Sequence, residues 1–132
     1  MDTDSDAWSR WVTLPDGSPD RIWREREITA LLTGHTGGHL FLAGCKSNQG
    51  GFYPLLDQVV LLSAPADVLL ARIERRTGNP YGKRPEERAA VLRHLATVEP
   101  LLRATASAEI DATAPVADVV GQVESLAGPL PA

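Results

Sequence analysis

The chain has 132 residues, 43% of them hydrophobic, and a formal net charge of −4 at pH 7, which fits one ordinary domain with a real core over residues 1–132. The negative balance and the absence of nucleic-acid-binding motifs argue against a DNA or RNA partner. The single cysteine, Cys45, excludes an internal disulfide, and no apolar run is long enough to cross a membrane, so we expect a cytoplasmic protein.

The first 21 residues carry an alternating acidic pattern but little hydrophobic periodicity, so no helix or strand is predicted there. The aspartates are Asp2, Asp4 and Asp6. Their spacing resembles that of a calcium-binding EF-hand loop, but the glycine and the glutamate that such a loop requires are missing. A metal-dependent hydrolase built on these three side chains is one interpretation of this segment.

The middle of the chain predicts a helix over residues 23–33, a buried strand over 39–43 and a second strand over 58–63. Asn48 and Gln49 follow the first strand at its carboxyl end, where α/β sheets bind ligands. A plain polar turn is the alternative at these two positions. The Gly-Cys-Lys-Ser sequence just before them is not a Walker A phosphate loop, because no glycine directly precedes the lysine.

The second half of the chain predicts three helices and one strand, with boundaries at prolines and glycines. The elements are a helix from Pro65 to Gly78, a helix from Pro85 that breaks near Pro100, a strand over residues 108–111 and a helix closed by Gly128. Because strands alternate with helices, the predicted fold class is α/β with a parallel sheet.

Residues 71–87 gather five cationic side chains, two glycines and two prolines. Arg72 and Arg76 stand four apart on the predicted helix, so we expect them to project from one face. Arginine supplies forked donors and lysine a compact charge, while the glycines allow close approach and movement. This combination suits an anionic ligand such as a phosphate. A solvated basic turn is the alternative.

Several motifs together resemble the P-loop small-molecule kinases of the shikimate kinase and nucleoside-monophosphate kinase type. Arg-Arg-Thr-Gly-Asn at 75–79, followed by Arg84-Pro85, is similar to the lid of that group. Asp2-Thr3-Asp4 is similar to its acidic D-x-D motif at the end of the second strand. Residues 108–115 are similar to its last strand and adenine-side loop. More narrowly, Ser-Asn-Gln-Gly at 47–50 with Asn-Pro-Tyr-Gly-Lys at 79–83 looks like a bacterial branch of ATP-binding or AAA-type proteins. The resemblance covers nearly the whole chain.

The resemblance implies a three-layer parallel sheet with flanking helices, with ATP as the phosphoryl donor and Mg²⁺ as its cofactor. It makes residues 77–85 a lid-like loop. Arg72 and Arg76 would bind the nucleotide, with Arg76 against the adenine. Lys83 or Arg84 would close with the lid and neutralise charge on the transferred phosphoryl group.

The same resemblance assigns residues of the N-terminal half to a small-molecule acceptor and to the metal. Asp4 would accept hydrogen bonds from the acceptor or help to activate its hydroxyl group. Asn48 and Gln49 would face the acceptor. Asp2 would lie near the magnesium ion through a water molecule.

The opening strand and the Walker A loop of the kinase group have no counterpart in the chain, and that strand would be the middle of the sheet. We therefore expect the in-frame DNA upstream of the Met1 codon to encode both the strand and the loop. Without them, we expect no ordinary phosphoryl transfer. The alternative is a non-catalytic α/β interaction module that binds nucleotide weakly or not at all. It would find a partner, or form an oligomer, through the gap in its sheet.

Overall fold

The structure, a computed structural model, describes residues 1–129. The described residues divide into two compact units, Met1–Asp57 with residues 127–129, and Gln58–Leu126. The fold class is α/β, as predicted, but the described residues form two two-stranded sheets, one antiparallel and one parallel. They do not form the three-layer parallel sheet that the resemblance implies. Within the described range, every helix is too short or too polar to cross a lipid bilayer.

The first unit opens with an antiparallel hairpin of two strands, β1 (Ser9–Thr13) and β2 (Pro19–Trp23), which pair along their full lengths. Asp16 shapes the turn between them, because its Oδ1 accepts the backbone N–H and the hydroxyl of Ser18 at 2.9 and 2.6 Å. The prediction that the first 21 residues lack regular structure was wrong. The hairpin buries mainly its first and last residues, so it leaves little alternating hydrophobicity to detect.

The hairpin is followed by helix α1 (Glu25–Gly34) and, further along, by a 3₁₀ helix (Gln49–Leu55). Helix α1 agrees with the helix predicted over residues 23–33. Its first turn carries Glu25 and Glu27, which complement the positive end of the helix dipole.

Residues 39–43, predicted as a strand buried on both faces, form one parallel bridge and no strand. The Ala43 N–H donates to the Met1 carbonyl at 2.8 Å, and the Thr3 N–H donates to the Ala43 carbonyl at 3.1 Å. Phe41 is 43% exposed. The prediction was wrong because an unbroken apolar run does not by itself distinguish a strand from an extended, half-exposed connection.

The core of the first unit is aromatic. Trp23, Ile28 and Phe52 are buried, with Trp8 and Leu32 packed against them. The rings of Trp23 and Phe52 meet edge to face with their centroids 5.5 Å apart, a favoured geometry for aromatic pairs. The core therefore joins β2, α1 and the 3₁₀ helix.

A buried polar network borders this core. Thr3 and Ser9 are fully buried, and the Ser9 hydroxyl donates to the Thr3 carbonyl at 2.6 Å. The indole N–H of Trp23 donates to Thr3 Oγ1, which itself donates to the Ala43 carbonyl, both at 2.8 Å. A Cβ on Gly44 would overlap the Thr3 hydroxyl, so this network requires glycine at that position.

The second unit is built from two strands and four helices, namely β3 (Val60–Ser63), α2 (Ala66–Arg75), α3 (Pro85–Thr97), α4 (Glu99–Thr105), β4 (Ala108–Asp111) and α5 (Val116–Ala127). Strands β3 and β4 are parallel, with Val60 opposite Ala108 and Ser63 opposite Asp111. Both strands were predicted in these places, and their parallel pairing is confirmed.

Prolines set the boundaries of the helices in this unit. Helix α3 begins at Pro85, with Glu86 and Glu87 in its first turn. Val98 separates α3 from α4, and Pro100 lies in the first turn of α4, where its missing N–H needs no partner. The predicted break near Pro100 is confirmed.

Helix α2 ends at Arg75, earlier than the predicted end at Gly78. Arg76 already has extended backbone angles, φ −71° and ψ 149°. Arg76 is therefore the last residue bonded to the helix, since its N–H still donates to the Arg72 carbonyl at 3.1 Å, and the expectation that Arg72 and Arg76 project from one face stays a prediction. The helix ends early because the guanidinium of Arg76 bonds forward to carbonyls of the following loop.

The second unit buries little apolar surface. Among residues 58–126, Ile110 on β4 is the only large apolar side chain that is buried, at 3% exposure. Leu62 on β3 is 52% exposed and Val116 on α5 is 78% exposed. Apolar area thus remains open on both the sheet and its last helix.

Candidate functional site

The predicted lid-like segment forms the connection between α2 and α3, here called the cationic loop, residues 76–84. Its first residue, Arg76, donates from Nε to the Asn79 carbonyl at 3.0 Å and from Nη2 to the Tyr81 carbonyl at 2.7 Å. Lys83 Nζ donates back to the Arg76 carbonyl at 2.6 Å. The two cations therefore hold the loop closed on itself, and each keeps further N–H groups beyond those used here.

The far end of the cationic loop is anchored at Gly82. This glycine is buried and has φ +92°, and a Cβ there would lie 2.8 Å from Ile73 Cγ2 on α2. The carboxylate of Glu87 accepts the N–H groups of Gly82 and Arg84 at 3.3 and 3.4 Å. Gly82 thus serves close packing against α2 and a backbone angle that favours glycine.

The cations of this region lack carboxylate partners. They are Arg72, Arg75, Arg76, Lys83 and Arg84, and among residues 1–129 none of them forms an ion pair. All five side chains belong to one short stretch of a chain whose net charge is negative. This stretch is consequently a local concentration of positive charge that an anion can approach.

Arg72 lies toward the carboxyl end of β4. The pKa of Asp111, the last residue of that strand, is lowered mainly by hydrogen bonds from the Thr113 hydroxyl and N–H, and further by the charge of Arg72. The hydroxyl and N–H of Thr113 reach Asp111 Oδ1 at 2.6 and 2.9 Å. The carboxyl ends of parallel strands are where α/β folds bind ligands.

The N-terminal aspartates are held by interactions inside the first unit. Asp4 forms an ion pair with Lys46 at 2.8 Å, and its N–H donates to Asp2 Oδ1 at 3.0 Å. Asp6 pairs with Arg21 at 2.7 Å. Within residues 1–129, no three histidine, cysteine or acidic side chains lie close enough to hold a metal ion, so the hydrolase interpretation gains no support.

Both amide side chains predicted to face the acceptor make hydrogen bonds within the first unit. Asn48 Oδ1 accepts the Trp23 N–H at 3.1 Å, and its Nδ2 donates to the Trp23 carbonyl at 3.0 Å. Gln49 Oε1 accepts the Lys46 N–H at 2.8 Å, and its Nε2 donates to the Tyr53 hydroxyl at 2.7 Å. Substrate binding by Asn48 and Gln49 stays a prediction. In this structure both side chains hydrogen-bond to other residues of the first unit and link its segments.

The structure therefore distributes the predicted site residues over the two units. Arg72, Arg76, Lys83 and Arg84 lie in the second unit, and Asp2, Asp4, Asn48 and Gln49 lie in the first. Lys46 was not among the predicted site residues, because the Gly-Cys-Lys-Ser sequence that contains it does not match a Walker A loop. Its side chain is only 10% exposed and is the ion-pair partner of Asp4.

A scan against protein-family models gave no match for this chain, and comparisons with curated proteins and with solved structures gave no significant match either.

Proposed function

We propose that this chain is the nucleotide-binding part of a P-loop kinase-like protein, whose full-length form transfers a phosphoryl group from ATP to a small-molecule acceptor. In that form a further strand and a Walker A loop would complete a three-layer parallel sheet. The observation that carries the proposal is the stretch of five cations from Arg72 to Arg84, which have no carboxylate partner among residues 1–129. Phosphoryl transfer depends mainly on positioning and on neutralising charge, and this stretch supplies cations suited to both.

In the proposed complex the cations divide between binding and chemistry. Arg76 stacks the flat face of its guanidinium on the adenine or flanks it, while its Nε and Nη2 stay bonded to the loop carbonyls. Arg72 contributes charge from α2 near the end of β4. Lys83 exchanges its bond to the Arg76 carbonyl for a phosphate oxygen, and Arg84 supports it.

The resemblance assigns Mg²⁺ and the acceptor to residues of the first unit. Mg²⁺ in nucleotide sites keeps several waters and is bound mainly through phosphate oxygens, so in this proposal Asp2 would lie near the ion through a water molecule. Asp4 would have to share its carboxylate between Lys46 and the acceptor hydroxyl. Asn48 and Gln49 are the other proposed contacts with the acceptor, and they would have to share with it the amide groups that now bond within the first unit.

The experiment is a calorimetric titration of ATP with Mg²⁺ into the parent chain and two variants. Arg76→Ala removes stacking and charge and should weaken binding by about 1–2 kcal/mol, roughly 5- to 30-fold. Arg75→Ala, which removes the same charge from the helix end without touching the loop bonds, is the matched control and should change binding little. If Arg76→Ala binds ATP as the parent does, or the parent does not bind ATP, the proposal fails.

A second test applies to a form that carries the Walker A loop. There, Lys83→Ala or Arg84→Ala should lower turnover more than ATP affinity, because a lid cation acts mainly on charge that develops in the transition state. Equal losses in turnover and affinity would show that these side chains only bind.

A second candidate function is the non-catalytic interaction module. It is favoured by the small buried core of residues 58–126, where Leu62 stays 52% exposed while its strand neighbour Ile110 is buried. Such a module would need a partner to cover its sheet, whereas the nucleotide-binding protein would respond to ATP without one. ATP titration of the purified chain separates the two.

A further inference from the structure

The second unit has one large aromatic side chain, and it lies outside the core of that unit. Tyr81 is the only phenylalanine, tyrosine or tryptophan among residues 58–126. It is 48% exposed, whereas Ile110 on β4 is buried. An aromatic ring offers a large apolar area, and burying that area in a core is its ordinary use. The second unit instead carries its one aromatic ring on the cationic loop.

The backbone of Tyr81 is held by two hydrogen bonds inside the loop. Its N–H donates to Asn79 Oδ1 at 3.0 Å, and its carbonyl accepts Arg76 Nη2 at 2.7 Å. The next residue, Gly82, lies close to Ile73 on α2. Both hydrogen bonds use main-chain atoms of Tyr81, so its side chain is not needed to close the loop.

The side chain of Tyr81 has no partner in the described part of the chain. Among residues 1–129 its ring stacks on no other aromatic ring and on no cation, and its hydroxyl makes no hydrogen bond. The other tyrosine, Tyr53, differs, because its hydroxyl accepts a hydrogen bond from Gln49 Nε2 at 2.7 Å. Tyr81 therefore leaves a flat aromatic face available to a ligand.

The cations of the same loop are Arg76, Lys83 and Arg84, and none of them forms an ion pair within residues 1–129. The guanidinium of Arg76 reaches the Tyr81 carbonyl, so its charge lies beside the residue that carries the ring. Phosphates are bound by cations, and a nucleobase is bound by an aromatic face on which it can stack. The loop offers both, whereas inorganic phosphate or a sugar phosphate would make no use of the ring.

We propose that Tyr81 makes the cationic loop selective for nucleotides, by stacking its ring on the base while the cations of the loop bind the phosphates. This inference rests on the proposed nucleotide-binding function, and it adds the residue that distinguishes a nucleotide from other phosphate compounds. Every base has a face on which an aromatic ring can stack. Tyr81 therefore favours nucleotides as a class over bare phosphates, rather than adenine over the other bases.

The experiment is a calorimetric titration of the full chain with ATP and, separately, with inorganic tripolyphosphate, both with Mg²⁺. The parent should bind ATP more tightly than tripolyphosphate. Tyr81→Leu removes the ring but keeps an apolar side chain and both main-chain hydrogen bonds. It should weaken ATP binding by about fivefold or more and leave tripolyphosphate binding unchanged. Tyr81→Phe keeps the ring and loses only the unpartnered hydroxyl, so it should bind ATP as the parent does.

The outcomes separate this inference from the proposed function. If Arg76→Ala loses ATP affinity while Tyr81→Leu binds ATP as the parent does, the loop binds phosphates without the ring, and only this inference is overturned. It is also overturned if the parent binds tripolyphosphate as tightly as ATP. Equal weakening of both ligands by Tyr81→Leu would overturn it too, because the side chain would then support the loop and not the base. A parent that binds neither ligand overturns both proposals.

Discussion

Asn48 offers the sharpest distinction between a residue that binds a substrate and one that supports the fold. Its side-chain amide bonds to both backbone groups of Trp23, accepting the N–H at 3.1 Å and donating to the carbonyl at 3.0 Å. Trp23 is 4% exposed and belongs to the core of its unit. Replacing Asn48 by alanine therefore leaves two backbone groups at the end of β2 without their partner.

The cost follows from those two bonds. Each neutral hydrogen bond contributes about 1 kcal/mol, and a buried group left unsatisfied costs more, so Asn48→Ala should lower the free energy of unfolding by about 2–3 kcal/mol. With a urea slope of about 1 kcal/mol/M for a small unit, the midpoint of unfolding falls by roughly 2–3 M. Thr33→Ala is the control in the same unit. It removes one exposed hydrogen bond within α1 and should change stability by less than about 0.5 kcal/mol.

The assay is urea unfolding followed by tryptophan fluorescence. All three tryptophans, Trp8, Trp11 and Trp23, lie in the first unit, so the signal reports that unit alone. If Asn48→Ala unfolds at the parent's midpoint with an unchanged slope, the amide does not support Trp23 and the structural assignment is refuted.

Three further predictions concern packing and charge. Gly44→Ala should lower the free energy of unfolding by about 2–3 kcal/mol, since it displaces the buried Thr3 hydroxyl, which makes two hydrogen bonds. Adding Thr3→Ala to the same chain should restore part of this loss in a double-mutant cycle, and additive losses would contradict the overlap. Gly82→Ala should destabilise the second unit by about 1–3 kcal/mol, because the positive φ of Gly82 and its contact with α2 both oppose a side chain. Unfolding followed by circular dichroism measures the change, and a neutral effect would count against the anchoring of the loop at Gly82. The pKa of Glu109 is lowered to about 2, first by Arg103, so its contribution to stability is present above pH 4.5 and is lost as the pH falls toward 2. Arg103→Gln should raise that pKa toward its ordinary value in an NMR titration, and an unchanged pKa would show that the pair does not control it.

The strands and most helix boundaries of the second unit could be predicted from the sequence, because short apolar runs and prolines mark them locally. Strand β4 was predicted with its observed bounds, and the break before α4 follows from Pro100 alone. The α2 boundary was misplaced because a side chain of Arg76 reaches forward to the Tyr81 carbonyl, a contact that no pattern of apolar residues announces.

The first unit could not be predicted in the same way because long-range contacts hold it together. The hairpin β1–β2 is supported by Arg21, which pairs with Asp6 at 2.7 Å and lies 5.6 Å from the ring centre of Trp11. The role of Asn48 depends on Trp23, 25 residues earlier in the chain. Polar residues in a loop look alike in sequence whether they face a ligand or a distant backbone group.

The central claim is that the cationic loop binds the phosphates of ATP, and hydrogen exchange with and without ATP tests it most directly. The N–H groups of Tyr81 and Gly82 bond to the side chains of Asn79 and Glu87, so their exchange reports how the loop is held. We predict that ATP changes the exchange of residues 76–84 and leaves β1 and β2 unaffected. Exchange in the loop that stays the same at saturating ATP, or protection confined to the first unit, would contradict the claim.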